Sequence, residues 1–382
     1  MIIEHEIYMN RPTRAEISIP NLINNFEIVK SCVAPDVKIM AVVKANAYGH
    51  GIRRVTQELL RAGASYVGVA YLEEAKYLRK NGITAPILVL GAINLEQIPE
   101  FINNDIEVTT SSIDKSMAIS KAAGELGKKA KVHIKIDTGM GRIGVQWYNA
   151  VKFIDTTFSL PNIEVKGIFS HLAKSESDKV LTGKQLSRFE EVLSYMQKNN
   201  MIPPLVHLAN SAGVINHKDT HFNMVRPGII MYGYNPNGYF PEQEWNGRKL
   251  QPVMTLKSKV SYFKVCPAGT GISYNHTYTT KEQTRIVTLP VGYGDGYNRL
   301  LSNKGEVVIR GKKYRIAGNV CMDQIMVDIG PDGTAFNGDD VLLFGKMGDC
   351  EIPLESLCDM VGTITYELLC DISSRVPRIY ID

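Results

Sequence analysis

Lys44 is the residue whose type and position are best suited to covalent chemistry. It follows the apolar run 37–43, which is typical of a buried parallel strand, and it precedes a stretch of small residues, Tyr48 and two glycines. An amine at such a strand end can form a Schiff base with a carbonyl compound when burial or a nearby cation lowers its pKa. The small neighbours leave room for a flat ligand, and the Tyr48 phenol can donate a hydrogen bond to an anion. The alternative is a lysine that only extends from the strand end into solvent.

The stretch from Asp137 to Gly144 contains the spacing Gly-x-Gly-x-x-Gly. In dinucleotide-binding folds this spacing lies in the first strand-helix unit, whereas about four such units precede it here, so a nicotinamide site is the weaker interpretation. Arg142 offers a fork of donors for a carboxylate or phenolate. Lys135 lies on the preceding strand-like run. If its amine approaches Arg142 inside a barrel, the two positive charges are costly unless one is neutralised; pairing with Asp137, or extension of the side chain into solvent, is the alternative.

Polar residues also follow the later strand-like runs. A serine hydroxyl at Ser211 with backbone N–H groups of Gly228 and Ile229 could hold a phosphate, because barrel enzymes often bind phosphate at their last loops. His207 is expected to hydrogen-bond to Arg226, whose guanidinium cannot act as an acid. Single histidines at strand ends are otherwise most often structural. The candidate residues of this group are His171, His207, Asn210, Ser211, Arg226, Gly228 and Ile229.

These residues are separated by alternating strand-like and helix-like segments between residues 14 and 245. Eight short runs rich in Val, Ile and Leu, with helical patterns between them, predict a TIM-like (β/α)8 barrel, an α/β barrel whose strand ends meet at one face. The predicted strands are 37–43, 66–70, 87–90, 106–108, 131–136, 163–169, 205–207 and 224–226, and clear helical patterns cover 113–126 and 185–198.

Beyond residue 245 the pattern changes to short alternating runs separated by turn residues. It predicts a mostly β carboxy-terminal domain, 246–382, which the amino-terminal segment 1–13 is expected to join. The Pro-, Gly- and Asn-rich stretch 234–248 is the expected link between the domains. The predicted strands are 254–263, 285–289, 307–309, 324–328 and 341–344, and the predicted helices are 354–361 and 365–373.

Composition narrows the possible functions. A chain of 382 residues with 44% hydrophobic residues can form two domains, and a net charge of +4 without like-charge runs favours neither nucleic acid nor a membrane surface as a partner. Six scattered cysteines without a Cys-x-x-Cys predict free thiols and no metal site. The early acidic residues and the lack of a long apolar run predict a cytoplasmic protein.

The whole chain, with its segment 41–51 around Lys44, resembles the alanine racemase family of fold-type III pyridoxal-phosphate enzymes. The resemblance implies that Lys44 carries pyridoxal 5'-phosphate and exchanges the Cα proton of alanine on one face. It implies that Tyr274 of the partner subunit in a homodimer serves the other face. The ordered series of matching residues is Lys44, Arg142, His171, Arg226, Tyr274, Met322 and Tyr366.

The resemblance also implies roles for neighbouring residues. Arg142 and the backbone at Met322 would bind substrate, and Arg142 would also hold the cofactor's phenolic oxygen. Arg226 would face the pyridine nitrogen, which then stays neutral, and a weaker electron sink suits one-proton exchange better than transamination. Lys135 matches the family's carbamylated lysine. Cofactor ligands would be Tyr48, His171, Asn210, Ser211, Arg226, Gly228, Ile229 and Tyr366, with His207, Tyr293, Cys321 and Asp323 in supporting positions.

Other fold-type III proteins remain as alternatives. A pyridoxal-phosphate carrier would end near residue 245 and lack a second acid/base, so the additional β domain counts against it. A related decarboxylase would place an acid opposite the pyridine nitrogen, where this chain has Arg226. A racemase for serine or a broader set of amino acids has the same motifs as an alanine racemase.

Overall fold

The computed structural model describes residues 10–236, 238 and 243–382. They form two compact units: residues 22–47 with 52–251, and residues 10–21, 48–51 and 252–382. The first strand, β1 (Arg14–Ser18), is followed by the helix α1 (Ile19–Cys32).

These units differ from the predicted boundaries 14–245 and 246–382. Strand β1 pairs with strands from the end of the chain, so it belongs to the second unit and not to the barrel. The reason is long-range pairing, which a local pattern cannot show. The predicted link 234–248 and the segment 1–13 fall partly outside the described residues, and within the link Trp245 and Arg248 form an isolated antiparallel bridge.

The first unit contains the predicted eight-stranded parallel barrel, which is confirmed. Pairings between neighbouring strands run around the barrel, and a pairing between the first and last of them, Met224 with Lys38, completes the ring. Each of the eight barrel strands is buried along most of its length, as continuous apolar runs predict. The strands are β2 (Lys38–Val42), β3 (Tyr66–Val69), β4 (Ile87–Val89), β5 (Glu107–Thr110), β6 (Ala130–Asp137), the short additional β7 (Val145–Gln146), β8 (Ile163–Phe169), β9 (Leu205–His207) and β10 (Met224–Val225).

Helices follow the barrel strands and cover them with apolar faces. Side-chain caps set where two of them begin: Ser112 accepts from the Lys115 N–H, and Asp178 accepts from the Leu181 N–H. The second cap makes one helix start before the predicted residue 185. The helices are α2 (Ile52–Arg61), α3 (Leu72–Lys80), α4 (Ile98–Asn103), α5 (Ile113–Glu125), α6 (Ala150–Ser159), α7 (Lys179–Lys198) and α8 (Ser211–Asn216), with 3₁₀ turns at Leu95–Gln97, Trp147–Asn149, Lys218–Thr220 and Ile229–Tyr232.

The second unit is mostly β, as predicted. Its largest sheet has seven strands, and a three-stranded and a two-stranded sheet accompany it. Two helices and three 3₁₀ turns complete the unit. The strands are β11 (Met254–Lys259), β12 (Tyr262–Cys266), β13 (Gly271–Ile272), β14 (Tyr278–Thr279), β15 (Thr284–Leu289), β16 (Glu306–Ile309), β17 (Lys312–Arg315), β18 (Ile325–Asp328), β19 (Asp340–Met347), β20 (Cys350–Ile352) and β21 (Arg378–Ile381), the helices are α9 (Leu354–Val361) and α10 (Thr365–Asp371), and the 3₁₀ turns are Tyr274–His276, Tyr293–Asp295 and Arg299–Leu301.

The prediction of one strand over 254–263 was wrong. Strand β11 ends at Lys259 and joins the large sheet, whereas β12 joins the three-stranded sheet. Between them the Val260 N–H donates to Asp339 and the Ser261 N–H donates to Thr288, so the chain crosses from one sheet to the other at this point. No helix in the described part of the chain is long and apolar enough to span a membrane.

Candidate functional site

Lys44 begins a left-handed turn, Lys44–Tyr48. Its four following residues have φ between 52° and 55°, although none is a glycine. A left-handed conformation costs roughly 1–2 kcal/mol for each such residue, so the surrounding structure must hold it. The Glu74 carboxylate does so by accepting from the N–H groups of Ala45 (2.6 Å) and Ala70 (2.8 Å). Asn46 accepts from the Ile52 N–H at 2.9 Å and thereby fixes the start of α2.

Several basic side chains lie where the barrel strands end. Lys135 is only 3% exposed, and its ammonium lies 4.6 Å from the centre of the Phe169 ring. Burial, reinforced by the charges of Arg226 and Arg142, lowers the pKa of Lys135 well below the usual lysine value, while Asp137 opposes the shift. Lys135 therefore lies close enough to Arg226 and Arg142 for their charges to lower its pKa, which is the approach to another cation that the sequence predicts.

Asp137 does not neutralise this lysine. One of its oxygens accepts from the N–H groups of Gly139 and Met140, both at 2.9 Å, and Gly141 N–H reaches the other at 3.0 Å. In the described residues, no carboxylate oxygen forms an ion pair with Lys135. The same bonds answer the nicotinamide alternative, because the N–H groups that would bind a pyrophosphate are turned to the chain's own carboxylate.

Arg226 is buried at 4% exposure and fixed from several sides. Its Nη1 donates to His207 Nδ1 at 2.9 Å, which is the predicted hydrogen bond, and its Nη2 donates to the carbonyl oxygens of Ser170 (2.6 Å) and Leu208 (3.1 Å). Burial and the charge of Arg142 lower the pKa of Arg226 to about 9, which still leaves it charged at neutral pH. Within the described residues, its Nε has no acceptor, so this donor remains for a ligand.

His171 lies 3.4 Å from Arg226 through its Nδ1. The pKa of His171 lies well below its usual value, mainly because the ring is buried. Nearby positive charges lower it further, and they belong to Arg226, Lys135, Arg142 and Lys44. The imidazole is therefore neutral at physiological pH and can pack against a flat ligand without adding another positive charge.

The loops after β9 and β10 bring the predicted phosphate ligands together. Ser211 Oγ accepts from the Gly228 N–H at 2.8 Å, and Ile229 begins the next 3₁₀ turn. Asn210 has a structural task, because its side-chain oxygen accepts from the Gly213 N–H (2.9 Å) and from the Ser175 hydroxyl (2.8 Å). Its direct contact with a ligand stays a prediction.

In the second unit, Tyr48 and Tyr366 lie with their ring centres 6.0 Å apart. Burial, with Tyr366 and Cys370 nearby, raises the pKa of Tyr48, so its phenol remains a protonated donor. Arg378 donates to the Gly49 carbonyl at 2.8 Å and to three carbonyls near the end of α10. Sequence patterns gave no signal for this buried arginine, which fixes the backbone next to Tyr48.

The remaining predicted residues lie on loops of the second unit. Tyr274 is 70% exposed and follows Ser273, whose φ is 64°. Met322 is 53% exposed and lies between Cys321, whose thiol is 3.4 Å from the Ser273 hydroxyl, and Asp323, which pairs with Arg375 at 2.6 Å.

Tyr293 is tied to the same loops. Its N–H donates to the Cys321 carbonyl at 3.0 Å, so the loops carrying Tyr274, Tyr293 and Met322 form one cluster. A Cβ at Gly292 would lie 2.2 Å from the Cys321 oxygen, which shows how closely these loops pack. Among the described residues, no group of three or more His, Cys, Asp or Glu side chains could hold a metal ion.

Comparison with known proteins identifies the matching family. Residues 17–236 match the family model "Alanine racemase, N-terminal domain", and residues 253–380 match "Alanine racemase, C-terminal domain". A protein of Methanococcus maripaludis named alanine racemase is 43% identical over 98% of this chain and all of its own length. One of Halothermothrix orenii with the same name is 43% identical over 97% of each chain. A solved alanine racemase of Clostridium difficile 630 is 39% identical, covers 98% of this chain and 96% of its own, and superposes with a TM-score of 0.92.

Proposed function

This chain belongs to the alanine racemase family, and we propose that it interconverts L- and D-alanine with pyridoxal 5'-phosphate as its cofactor. The observation that carries the proposal is the end of the barrel, where the buried Arg226 lies 3.4 Å from the neutral His171 and the charges of Arg142 and Lys44 also act on that histidine. A Lys side chain that can bind an aldehyde, placed among fixed cations, suits an anionic aldehyde cofactor and a carboxylate substrate.

The donor set fits pyridoxal phosphate. The aldehyde requires an amine, which Lys44 supplies, and the phenolic oxygen requires a cation, which Arg142 supplies. The pyridine nitrogen can accept from Arg226 Nε. The phosphate would find donors in the Ser211 hydroxyl and the Ile229 backbone, and the Gly228 N–H, which donates to Ser211 Oγ in this structure, would turn to the phosphate instead. Tyr48, Tyr366 and Asn210 are the remaining cofactor ligands that the family resemblance implies.

When bound, the cofactor withdraws electrons from the substrate and makes its Cα–H acidic. Lys44 then accepts the Cα proton on one face or returns one to it through its Nζ. Tyr274 of the partner subunit does the same through its phenolic oxygen on the opposite face. Two bases on opposite faces let one site accept either enantiomer and release the other.

Arg226 disfavours the competing reactions of the cofactor. It is held in a charged, donor-only state by His207 and two carbonyl oxygens, so it cannot give up a proton to the pyridine nitrogen. The cofactor's pyridine ring would then stay uncharged and withdraw electrons only weakly, which favours return of a proton to Cα over transamination. This property also separates the proposal from a decarboxylase.

We further propose that Lys135 carries a carbamate. Addition of carbon dioxide to its neutral amine forms an N–C bond and releases a proton. The product is an anion in place of an amine whose protonated form is disfavoured. That anion would orient Arg142 toward the substrate carboxylate, with the backbone at Met322 as a second contact. Burial and the two arginines lower the pKa of this amine and so favour its neutral, nucleophilic form, and Asp137 is occupied by backbone N–H groups.

We propose that the enzyme is a homodimer with shared sites, in which Tyr274 and Met322 serve the barrel of the partner subunit. Both side chains are more than half exposed, and they stand on one cluster of tightly packed loops. Tyr293, Cys321 and Asp323 support that cluster. Exposed large apolar groups on a fixed loop are typical of a contact surface.

Incubation of purified protein with L-alanine and pyridoxal phosphate tests the function. Optical rotation should fall to zero, because an equilibrium mixture contains equal amounts of both enantiomers. A heat-inactivated sample is the control, and L-serine in place of L-alanine measures how far the pocket accepts larger substrates. Unchanged rotation with alanine, in protein that binds the cofactor, would contradict the proposal.

A further inference from the structure

We infer that Glu107, a buried carboxylate on β5, positions Arg226 through two histidines in the barrel interior. This inference rests on the proposed function, because Arg226 is assigned there to the cofactor ring. Glu107 is 3% exposed and is the first residue of β5, and sequence patterns gave no reason to single it out. A buried charge needs a partner, and the partners of Glu107 lead toward the site.

The hydrogen bonds form one continuous chain. Glu107 Oε2 lies 2.7 Å from His133 Nε2, and His133 Nδ1 lies 2.9 Å from His207 Nε2. His207 Nδ1 then lies 2.9 Å from Arg226 Nη1. Both histidines are fully buried, so water does not replace any of these bonds.

The donors and acceptors in this chain can be arranged in only one way when both histidines are neutral. A guanidinium only donates, so His207 Nδ1 must accept, and its Nε2 therefore carries the proton. That proton is donated to His133 Nδ1, which leaves the His133 proton on Nε2, facing a carboxylate that only accepts. Burial and the charge of Arg226 lower the pKa of His207 well below its usual value, which agrees with a neutral ring.

The barrel is built to hold the two rings. Phe169 stacks on His207 with ring centres 4.7 Å apart and an interplanar angle of 4°. At Gly167 on β8, a Cβ would lie 2.4 Å from His133 Nδ1, so only glycine leaves room for that ring. Tyr66 donates its phenol to the other Glu107 oxygen at 3.3 Å. Glu107 is thus held by two donors and cannot turn away from His133.

The chain connects one buried anion with one buried cation. Arg226 shares the barrel with Arg142, whose charge adds to the positive potential around it. Each neutral imidazole that donates to an acceptor becomes a stronger acceptor at its other nitrogen, because hydrogen bonds in a chain polarise one another. The Glu107 carboxylate therefore strengthens the acceptor that His207 presents to Arg226 and fixes the direction in which the guanidinium points.

Nitrogen-15 NMR of histidine-labelled apoprotein tests this series of hydrogen bonds without relying on activity. The protein has eight histidines, and His133→Asn and His207→Asn identify the two signals by their loss. In the wild type, both rings should be neutral, with Nε2 protonated and Nδ1 unprotonated. A protonated Nδ1 on either ring, or a doubly protonated ring, would overturn the inference.

Substitution of Glu107 then measures whether its influence reaches Arg226. Glu107→Leu removes both charge and acceptor and should shift the His207 Nδ1 resonance, although His207 does not contact residue 107. Glu107→Gln keeps an acceptor and should shift it less. Thr109→Val is the matched control, because Thr109 is a buried polar residue on the same strand that donates to Val89 instead. It should leave the His207 signals unchanged.

If the His207 resonances are the same in Glu107→Leu as in the wild type, Glu107 is only a structural partner of His133. Should Glu107→Leu fail to fold, the comparison of Glu107→Gln with the wild type decides, since a His207 signal unaffected by loss of the charge overturns the inference. Failure of the proposed racemase function would appear separately, as unchanged optical rotation with the wild-type enzyme.

Discussion

At the scale of single residues, the reactivity of Lys44 depends on its neighbours more than on its own amine. A free lysine has a pKa of about 10.4 and is mostly a poor nucleophile at neutral pH. Lys44 is one of the charges that lower the pKa of His171, so it stands near the ring that the cofactor is proposed to contact. The neutral form of an amine is the one that reacts with a carbonyl.

The first prediction concerns the attachment of the cofactor. Borohydride reduction of the protein loaded with pyridoxal phosphate should fix the label on Lys44, because this amine stands at the strand end beside the proposed cofactor ligands. Peptide mapping by mass spectrometry locates the label. Lys44→Ala should abolish the labelling while Lys174→Ala, which changes an exposed lysine, leaves it intact. A label found on Lys135 or Lys174 would make the assignment wrong.

A second prediction concerns the modification of Lys135. Burial and the nearby arginines lower the pKa of this amine, so its neutral form, which reacts with carbon dioxide, is favoured. Carbon-13 NMR with labelled bicarbonate should show one carbamate signal that disappears in Lys135→Ala. That variant should lose most activity and regain part of it when a small carboxylate such as acetate is added.

Activity of the wild type should also fall when carbon dioxide is removed and return when bicarbonate is restored. Lys131→Ala is the matched control, because Lys131 stands on the same strand but pairs with Asp105 near the surface. A wild-type protein without a carbamate signal, yet fully active, would show that Arg142 is oriented in another way.

At the scale of elements, the left-handed turn Lys44–Tyr48 is the least ordinary feature of the barrel. Right-handed helix and extended strand need no special support, but this turn depends on Glu74 and Asn46 for its hydrogen bonds. It displaces the backbone sharply just after the lysine. The strain is thus located at the residues that present Lys44, as is common at functional sites.

A third prediction follows from this strain. Replacement of alanine by glycine in a helix interior costs about 1 kcal/mol, whereas at a left-handed position glycine removes a steric cost. Ala45→Gly, at φ 53°, should therefore leave the thermal midpoint of the apoprotein unchanged or raise it. Ala122→Gly, inside α5, should lower the midpoint. Equal losses in the two variants would mean that the turn is not strained.

The strands of the barrel were predictable because a parallel strand covered on both faces is a continuous apolar run. β8 and β9 have the predicted bounds, and the other barrel strands differ by a few residues at their ends. β1 was not predictable as part of the second unit, since its partners lie more than 200 residues away. Sheet membership depends on pairing, and local periodicity does not record it.

Site residues were predictable only where their type is unusual for their position. A lysine or arginine next to a buried strand is conspicuous, and so are serine and glycine in the last barrel loops. Glu74 and Glu107 are acidic residues in ordinary-looking segments, and only the folded chain shows Glu74 bonded to backbone N–H groups and Glu107 buried beside a histidine. These two residues are recognised by hydrogen bonds to residues far away in the sequence, and a single sequence does not show such bonds.

At the scale of the whole molecule, the proposed chemistry is divided between the two compact units. Lys44, Arg142 and Arg226 belong to the barrel unit, whereas Tyr274 and Met322 belong to the mostly β unit. Tyr274 is 70% exposed, and its backbone carbonyl accepts from the Asn319 side chain at 2.8 Å, so its backbone is held while its ring is uncovered. A fixed but uncovered tyrosine is suited to complete a site on another copy of the chain.

The last prediction tests this division through subunit mixing. Tyr274→Phe should still bind the cofactor through Lys44, but it should lose turnover by on the order of a hundred- to ten-thousand-fold, because the missing hydroxyl is a general acid/base. The two directions of racemisation should be affected differently, since each enantiomer gives its proton to a different base. Lys44→Ala should be inactive for lack of the attachment point. Chiral chromatography of the products measures both directions.

Mixing the two inactive proteins under conditions of subunit exchange should restore part of the activity. A heterodimer places Tyr274 of the Lys44→Ala chain against Lys44 of the Tyr274→Phe chain, so one of its two sites contains both required residues. Native mass spectrometry establishes that heterodimers have formed, and mixing Lys44→Ala with itself is the control that should stay inactive. If heterodimers form and no activity returns, Tyr274 either serves the barrel of its own chain or is not the second base.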